Sequence, residues 1–125
     1  MNALATSFRE LEVYKAAFAF QQELFKATKT WPAAERFALT DQVRRSARSV
    51  GANIAEAWAK RRYAAHFLSK LTDSDGELQE TVHWLDTAYS CGYITEAQHS
   101  SFGQATASIG KMLGAMMKRH ESFCR

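Results

Sequence analysis

Proline and glycine are scarce in this chain, with one Pro and six Gly in 125 residues. Sheet proteins spend those two residues on their many turns, so the scarcity argues against a many-stranded fold and for long, uninterrupted helices. No apolar run approaches the roughly 18–20 residues that a membrane-spanning helix needs. The opening stretch Met1-Asn2-Ala3-Leu4-Ala5-Thr6 has no basic n-region and no apolar h-region. The expectation is therefore no secretory leader, a cytoplasmic location and no membrane partner. The two cysteines, Cys91 and Cys124, form no Cys-x-x-Cys unit and read as free thiols.

Catalytic and cofactor motifs are missing too. His66, His83, His99 and His120 lie apart, and none sits in a His-Glu-x-x-His unit. His120 and Cys124 share a helical face, but two ligands at a chain end do not make a zinc site. Glu77 and Glu80 share a face without the Glu-x-x-His partners of a di-iron bundle. There is no phosphate-binding glycine loop and no nucleophile elbow. The expectation is a protein that is not an enzyme and carries no metal and no cofactor.

What the sequence does contain is helical periodicity from end to end. Hydrophobic residues make up 46% and charged residues 23%, the balance of one ordinary globular domain over residues 1–125. Helices are predicted at about 7–29, 40–60, 64–90 and 95–123. Ser7 with Glu10 and Thr95 with Gln98 have the capping-box spacing, and Thr40 reads as the cap of the second helix. Thr30-Trp31-Pro32 breaks the first helix, and Cys91-Gly92 ends the third. Only Gly92 to Ile94 separates the last two helices, so they must run antiparallel as neighbours. The fold class is all-α, an antiparallel up-and-down four-helix bundle. Its expected core stripes are Phe67, Leu71, Ser74, Leu78, Val82, Leu85 and Tyr89 in the third helix, and Phe102, Ala105, Ile109, Met112, Met116 and Phe123 in the fourth.

The first helix has two apolar faces, Leu11, Tyr14, Phe18 and Phe25 on one side and Val13, Ala17, Phe20 and Leu24 on the other. A one-sided bundle helix needs only about a 100° stripe. The surplus predicts self-association, with Val13, Ala17, Phe20 and Leu24 assigned to the subunit interface.

In the second helix, Val43, Ala47, Val50, Ile54 and Ala57 form an apolar stripe. Beside it runs a polar one of Gln42, Ser46, Ser49, Asn53 and Glu56, either a hydrogen-bonded layer between helices or a ligand-facing groove. Beyond that lie Arg44, Arg45 and Arg48, with Lys60, Arg61 and Arg62 at the helix end, six of the chain's sixteen basic residues. Clustered arginine forks suit phosphate, which makes these six the candidate contacts to RNA or DNA. The competing reading is a solvated basic face, or ion pairs to Asp73, Asp75, Glu77 and Glu80. A formal net charge of +3 does not decide between them.

The run Gln42-Val43-Arg44-Arg45-Ser46-Ala47-x-Ser49-Val50-x-x-Asn53-Ile54-Ala55-Glu56 resembles the signature of the four helix bundle proteins, also called 23S rRNA intervening-sequence proteins. Phe8-x-x-Leu11-x-x-Tyr14, Pro32-x-x-Glu35-x-Phe37-x-Leu39, Phe67-Leu68, Ser74-x-x-Glu77-Leu78 and Gly92-Tyr93-Ile94 extend the resemblance over most of the chain. Ala57 and Asp73 stand where the family usually has glycine. The resemblance implies an up-down bundle, often a homopentameric ring. It also implies similarity to the accessory proteins of diversity-generating retroelements, which bind nucleic acid and a partner protein, a reverse transcriptase. It supplies no catalytic residues. The function expected from residues and resemblance together is a non-enzymatic oligomeric adaptor contacting RNA or DNA. The alternative is a protein-interaction scaffold with no nucleic-acid contact.

Overall fold

Alternating three- and four-residue spacing of apolar side chains gives four α-helices: α1 (Glu12–Thr28), α2 (Asp41–Ala59), α3 (Ala64–Ser90) and α4 (Glu96–Lys118). The structure, a computed structural model, describes residues 5–124. Residues 1–4, which carried most of the leader expectation, and residue 125 lie outside the described part of the domain.

Cross-helix contacts fix the directions. Arg44 at the start of α2 reaches Thr28 at the end of α1, and Arg45 reaches Glu80 while Glu56 reaches Lys70. Asp86 late in α3 meets His99 early in α4. Each helix therefore runs antiparallel to the one before it, and α4 closes the ring against α1 through Phe20 and Phe102. α2 and α3 make the most extensive contact.

The helix ends follow local chemistry. Thr95 and Gln98 form the capping box, and Gly92 supplies the left-handed residue after α3 at φ 78°. Ser7 and Glu10 also form a capping box, but it closes a separate 3₁₀ turn, Phe8–Glu10, before α1 starts. The two backbone N–H groups that Glu10 accepts, from Thr6 and then Ser7, hold its carboxyl below the ordinary value. Thr40 does not cap α2. A 3₁₀ turn (Ala33–Glu35) and a π-turn (Arg36–Thr40) run directly into the helix, so its first N–H groups already have carbonyl partners.

The buried seam of α3 is Phe67, Leu71, Ser74, Leu78, Thr81, Leu85 and Ala88. This is a strict four-three alternation, the repeat of a left-handed supercoil. Val82 and Tyr89 were expected in it, but they stand one residue off and are not buried. In α4, Thr106 and Leu113 likewise replace Ala105 and Met112, while Ile109 and Met116 hold their places and Phe123 is buried in the turn that follows.

Val13, Ala17, Phe20 and Leu24 are buried within this single chain, on the side of α1 that faces the other helices. They are closed to a second subunit, which corrects their assignment to an oligomer interface. The outward face of α1 is the aromatic one, where Phe18 is 46% exposed.

Candidate nucleic-acid interface

Successive helical side chains turn by about 100°, and on α2 that rotation sorts the candidate residues. The polar stripe faces α3. Ser46 is fully buried and its hydroxyl meets that of Thr81 at 2.8 Å. Thr81 donates to the Glu77 carbonyl, and Ser74 donates to the Val50 carbonyl at 2.8 Å. Asn53 donates to the Ser49 carbonyl within its own helix, and Glu56 pairs with Lys70 at 3.1 Å. Ser46 thus belongs to a buried hydroxyl layer with Thr81 and Ser74, while Asn53 bonds within its own helix and Glu56 is ion-paired at the exposed edge. Gln42 and Ser49 are half-buried beside that layer.

Arg45 leans over that layer to α3, where its guanidinium is held by Glu77 at 3.1 Å and by Glu80. Its proton is held above the ordinary range, first by the hydrogen bond to Glu80. Glu80 is held below its ordinary value, first by the Trp84 indole N–H and then by Arg45. Asp73 pairs instead with Lys70 at 3.6 Å.

Arg44 and Arg48, one turn apart, point away from α3 toward α1 and solvent. There the Phe25 ring is flanked by three cations: Arg44 at 4.7 Å, Lys29 at 5.0 Å and Arg48 at 5.4 Å from its centroid. Arg44 also donates from Nε to the Thr28 hydroxyl at 2.8 Å, which fixes its fork. Among the described residues no carboxylate lies within ion-pair range of Lys29, Arg44 or Arg48. An open hollow of about 510 Å³ lies over this cluster, bordered by Phe25, Asp41, Arg44, Arg48, Ser49 and Ala52, with the ion-paired Arg45 at its α3 side. Arg44 also borders a second hollow of about 290 Å³ with Lys29, Arg36 and Asp41. Asp41 is the carboxylate on both rims.

The second basic group does not join the first. Arg61 folds back to cap α2, donating to the Trp58 carbonyl at 3.1 Å with its guanidinium 4.1 Å from the Trp58 ring. Lys60 and Arg62 are exposed, but sixteen residues of helix rise put Lys60 roughly 24 Å from Arg44 along the axis. Phe25, Lys29 and Arg36 were absent from the sequence-based set. The Phe25-x-x-x-Lys29 spacing at the end of α1, where Lys29 is the cap residue, mirrors Arg44-x-x-x-Arg48 on α2, but only the pairing of the two helices brings them together.

The sequence profile described as "23S rRNA-intervening sequence protein" matches residues 9–115. The chain belongs to the 23S rRNA-intervening sequence protein family. A crystal structure of a protein of unknown function from the S23 ribosomal protein family of Bacteroides thetaiotaomicron is 30% identical. That match covers 85% of this chain and 95% of that one, with a TM-score of 0.77. No curated protein matches. The family match covers all of α2, where Ser46 meets Thr81 and Arg45 is held by Glu77 and Glu80 of α3. Among the described residues of this intervening-sequence protein no three His, Cys, Asp or Glu are grouped to hold a metal, and no helix is long and apolar enough to cross a membrane.

Proposed function

We propose that this intervening-sequence protein is a non-enzymatic adaptor that binds nucleic acid through the α1–α2 face, with Arg44, Arg48 and Lys29 as its phosphate contacts. The observation that carries this reading is the convergence of three cations on Phe25 with no carboxylate in ion-pair range, Asp41 standing only at the rim. Like charges held this close repel one another, and a polyanion relieves that repulsion while releasing its own counterions. Arg44 is already oriented by Thr28, so little of its freedom remains to be lost on binding. Arg45 is outside this set because Glu77 and Glu80 occupy its fork. Lys60 and Arg62 form at most a second, separate contact.

The test compares the R44A/R48A double variant with R45A for binding of a labelled oligonucleotide at low salt. The double variant is expected to lose about tenfold or more in affinity with unchanged helicity, while R45A stays near wild type. Equal losses in both, or none in the double variant, would contradict the assignment.

Self-association belongs to the same proposal. Since Val13, Ala17, Phe20 and Leu24 are internal, it must use exposed surface, and light scattering after size-exclusion chromatography reports the subunit number. The scaffold reading draws on Phe37, a large aromatic 74% exposed ahead of α2. It predicts a purified protein whose 260/280 nm absorbance ratio carries no nucleic-acid component.

A further inference from the structure

We propose that the nucleic acid bound on the α1–α2 face is an unpaired strand, whose bases stack on Phe18 and Tyr14 while Arg48 and Arg44 hold its phosphates. This inference rests on the reading of that face as a nucleic-acid contact and adds the class of strand.

The outer face of α1 carries an aromatic row. Phe8 meets Tyr14 edge-on at 4.8 Å between centroids. Tyr14 lies nearly parallel to Phe18 at 6.1 Å, with 27° between the ring planes. Phe18 is 46% exposed and stands beside Tyr14, so the two rings form an aromatic patch and not a lone exposed side chain. The row borders a hollow of about 300 Å³ together with Gln21, Gly51, Ala52 and Ala55. Phe8 and Tyr14 are half-buried against the core, the Tyr14 ring resting over Gly51 of α2, and Phe18 is the ring of the row most open to solvent.

Arg48 joins this hollow to the cation cluster, for it borders both the aromatic hollow and the one over Phe25. Along the face, aromatic surface and cation therefore alternate: Phe8 with Arg9 at 4.6 Å from its ring, Tyr14 and Phe18, Arg48, Phe25, then Arg44 and Lys29. Tyr14 to Phe25 spans roughly 16 Å of helix. Asp41 at the rim is the carboxylate that opposes this charge at the Phe25 end.

Alternating aromatic and cationic groups suit a strand that offers flat base faces and phosphates in turn. A duplex hides its base faces in the stack and presents only backbone and groove edges, so exposed rings gain nothing from it. A second copy of the chain fits less well. A second copy would have to bury Arg48, which has no carboxylate within ion-pair range on its own chain among the described residues, and a desolvated unpaired charge is costly.

The experiment measures fluorescence anisotropy of labelled oligothymidylate, of its duplex with oligoadenylate, and of an abasic strand of equal length. Wild type, F18A, F18W and R44A/R48A are compared, with light scattering on each. The expected result is that wild type prefers the thymidylate strand over the duplex and over the abasic strand. F18A loses about tenfold for the thymidylate strand alone, F18W restores it, and R44A/R48A weakens all three probes. If F18A binds all probes like wild type while R44A/R48A still weakens them, the stacking inference fails and the phosphate contact stands. If no probe binds to wild type, both fail. If F18A dissociates an oligomer seen in wild type, the face is a subunit contact and the inference is overturned.

Discussion

Helical rotation separates Arg44 from Arg45 so that neighbours in sequence meet opposite surroundings, one beside an aromatic ring and the other between two carboxylates. The same rotation buries Ser46 against Thr81. Replacing Ser46 with Ala removes one member of a buried hydroxyl pair. Thr81 keeps its bond to the Glu77 carbonyl, so the variant should lose only about 1 kcal/mol of stability. Urea unfolding checks this, and a loss several times larger would mean that the layer acts as a cooperative network. Which residues of the second helix are polar, and that they form a stripe, was legible in the sequence. Which of them have partners was not, because that depends on where α3 places Glu77, Glu80, Lys70 and Thr81. The same holds for Phe25, an apolar residue of α1 whose role appears only when α2 sets two arginines against it.

At the scale of elements, local chemistry decided most boundaries. The limits of α3 and the Thr95 cap were readable because glycine and the capping box act within a few residues. The Thr40 cap was misread, because Thr has the residue type of a cap while a π-turn feeds the helix directly and leaves nothing to cap. The α3 seam shows a different failure. Hydrophobicity favoured Val82 and Tyr89, yet the heptad places Thr81 and Ala88 inside, with the Thr81 hydroxyl satisfied by hydrogen bonds. On α1 both faces are apolar, so periodicity could not say which one turns inward. Two glycines carry opposite predictions. Gly76 lies mid-helix with open space around it, so G76A should stabilise by roughly 0.5–1 kcal/mol through helix propensity. Gly92 has positive φ, so G92A should destabilise by about 1 kcal/mol. Thermal unfolding of the two variants measures both.

The whole molecule closes through contacts distant in sequence. One ties the segment before α2 to the α3–α4 turn, where the Tyr93 hydroxyl donates to Glu35 at 2.7 Å. That bond, followed by burial and the nearby carboxylate charge, pushes the Tyr93 pKa up to about 12. Below about pH 10 the phenol is protonated in both the folded and unfolded chain, so its contribution is fully present. Above that, the unfolded chain releases the proton first, and the contribution is lost as pH rises through the folded value. The stability advantage of wild type over Y93F should therefore hold near about pH 9 and shrink toward about pH 12. An unchanged difference would mean that the hydroxyl bond does not contribute in solution.

Three cations at Phe25 without an ion-pair partner carry the proposed binding, and the salt dependence of single-strand binding tests this most directly. Each phosphate contact contributes roughly −0.7 to the slope of log affinity against log salt concentration. Wild type should show a slope near −2 if Lys29, Arg44 and Arg48 each engage one phosphate, and R44A/R48A should flatten it by about 1.4. Absence of binding, or a slope that the double variant leaves unchanged, would contradict the account.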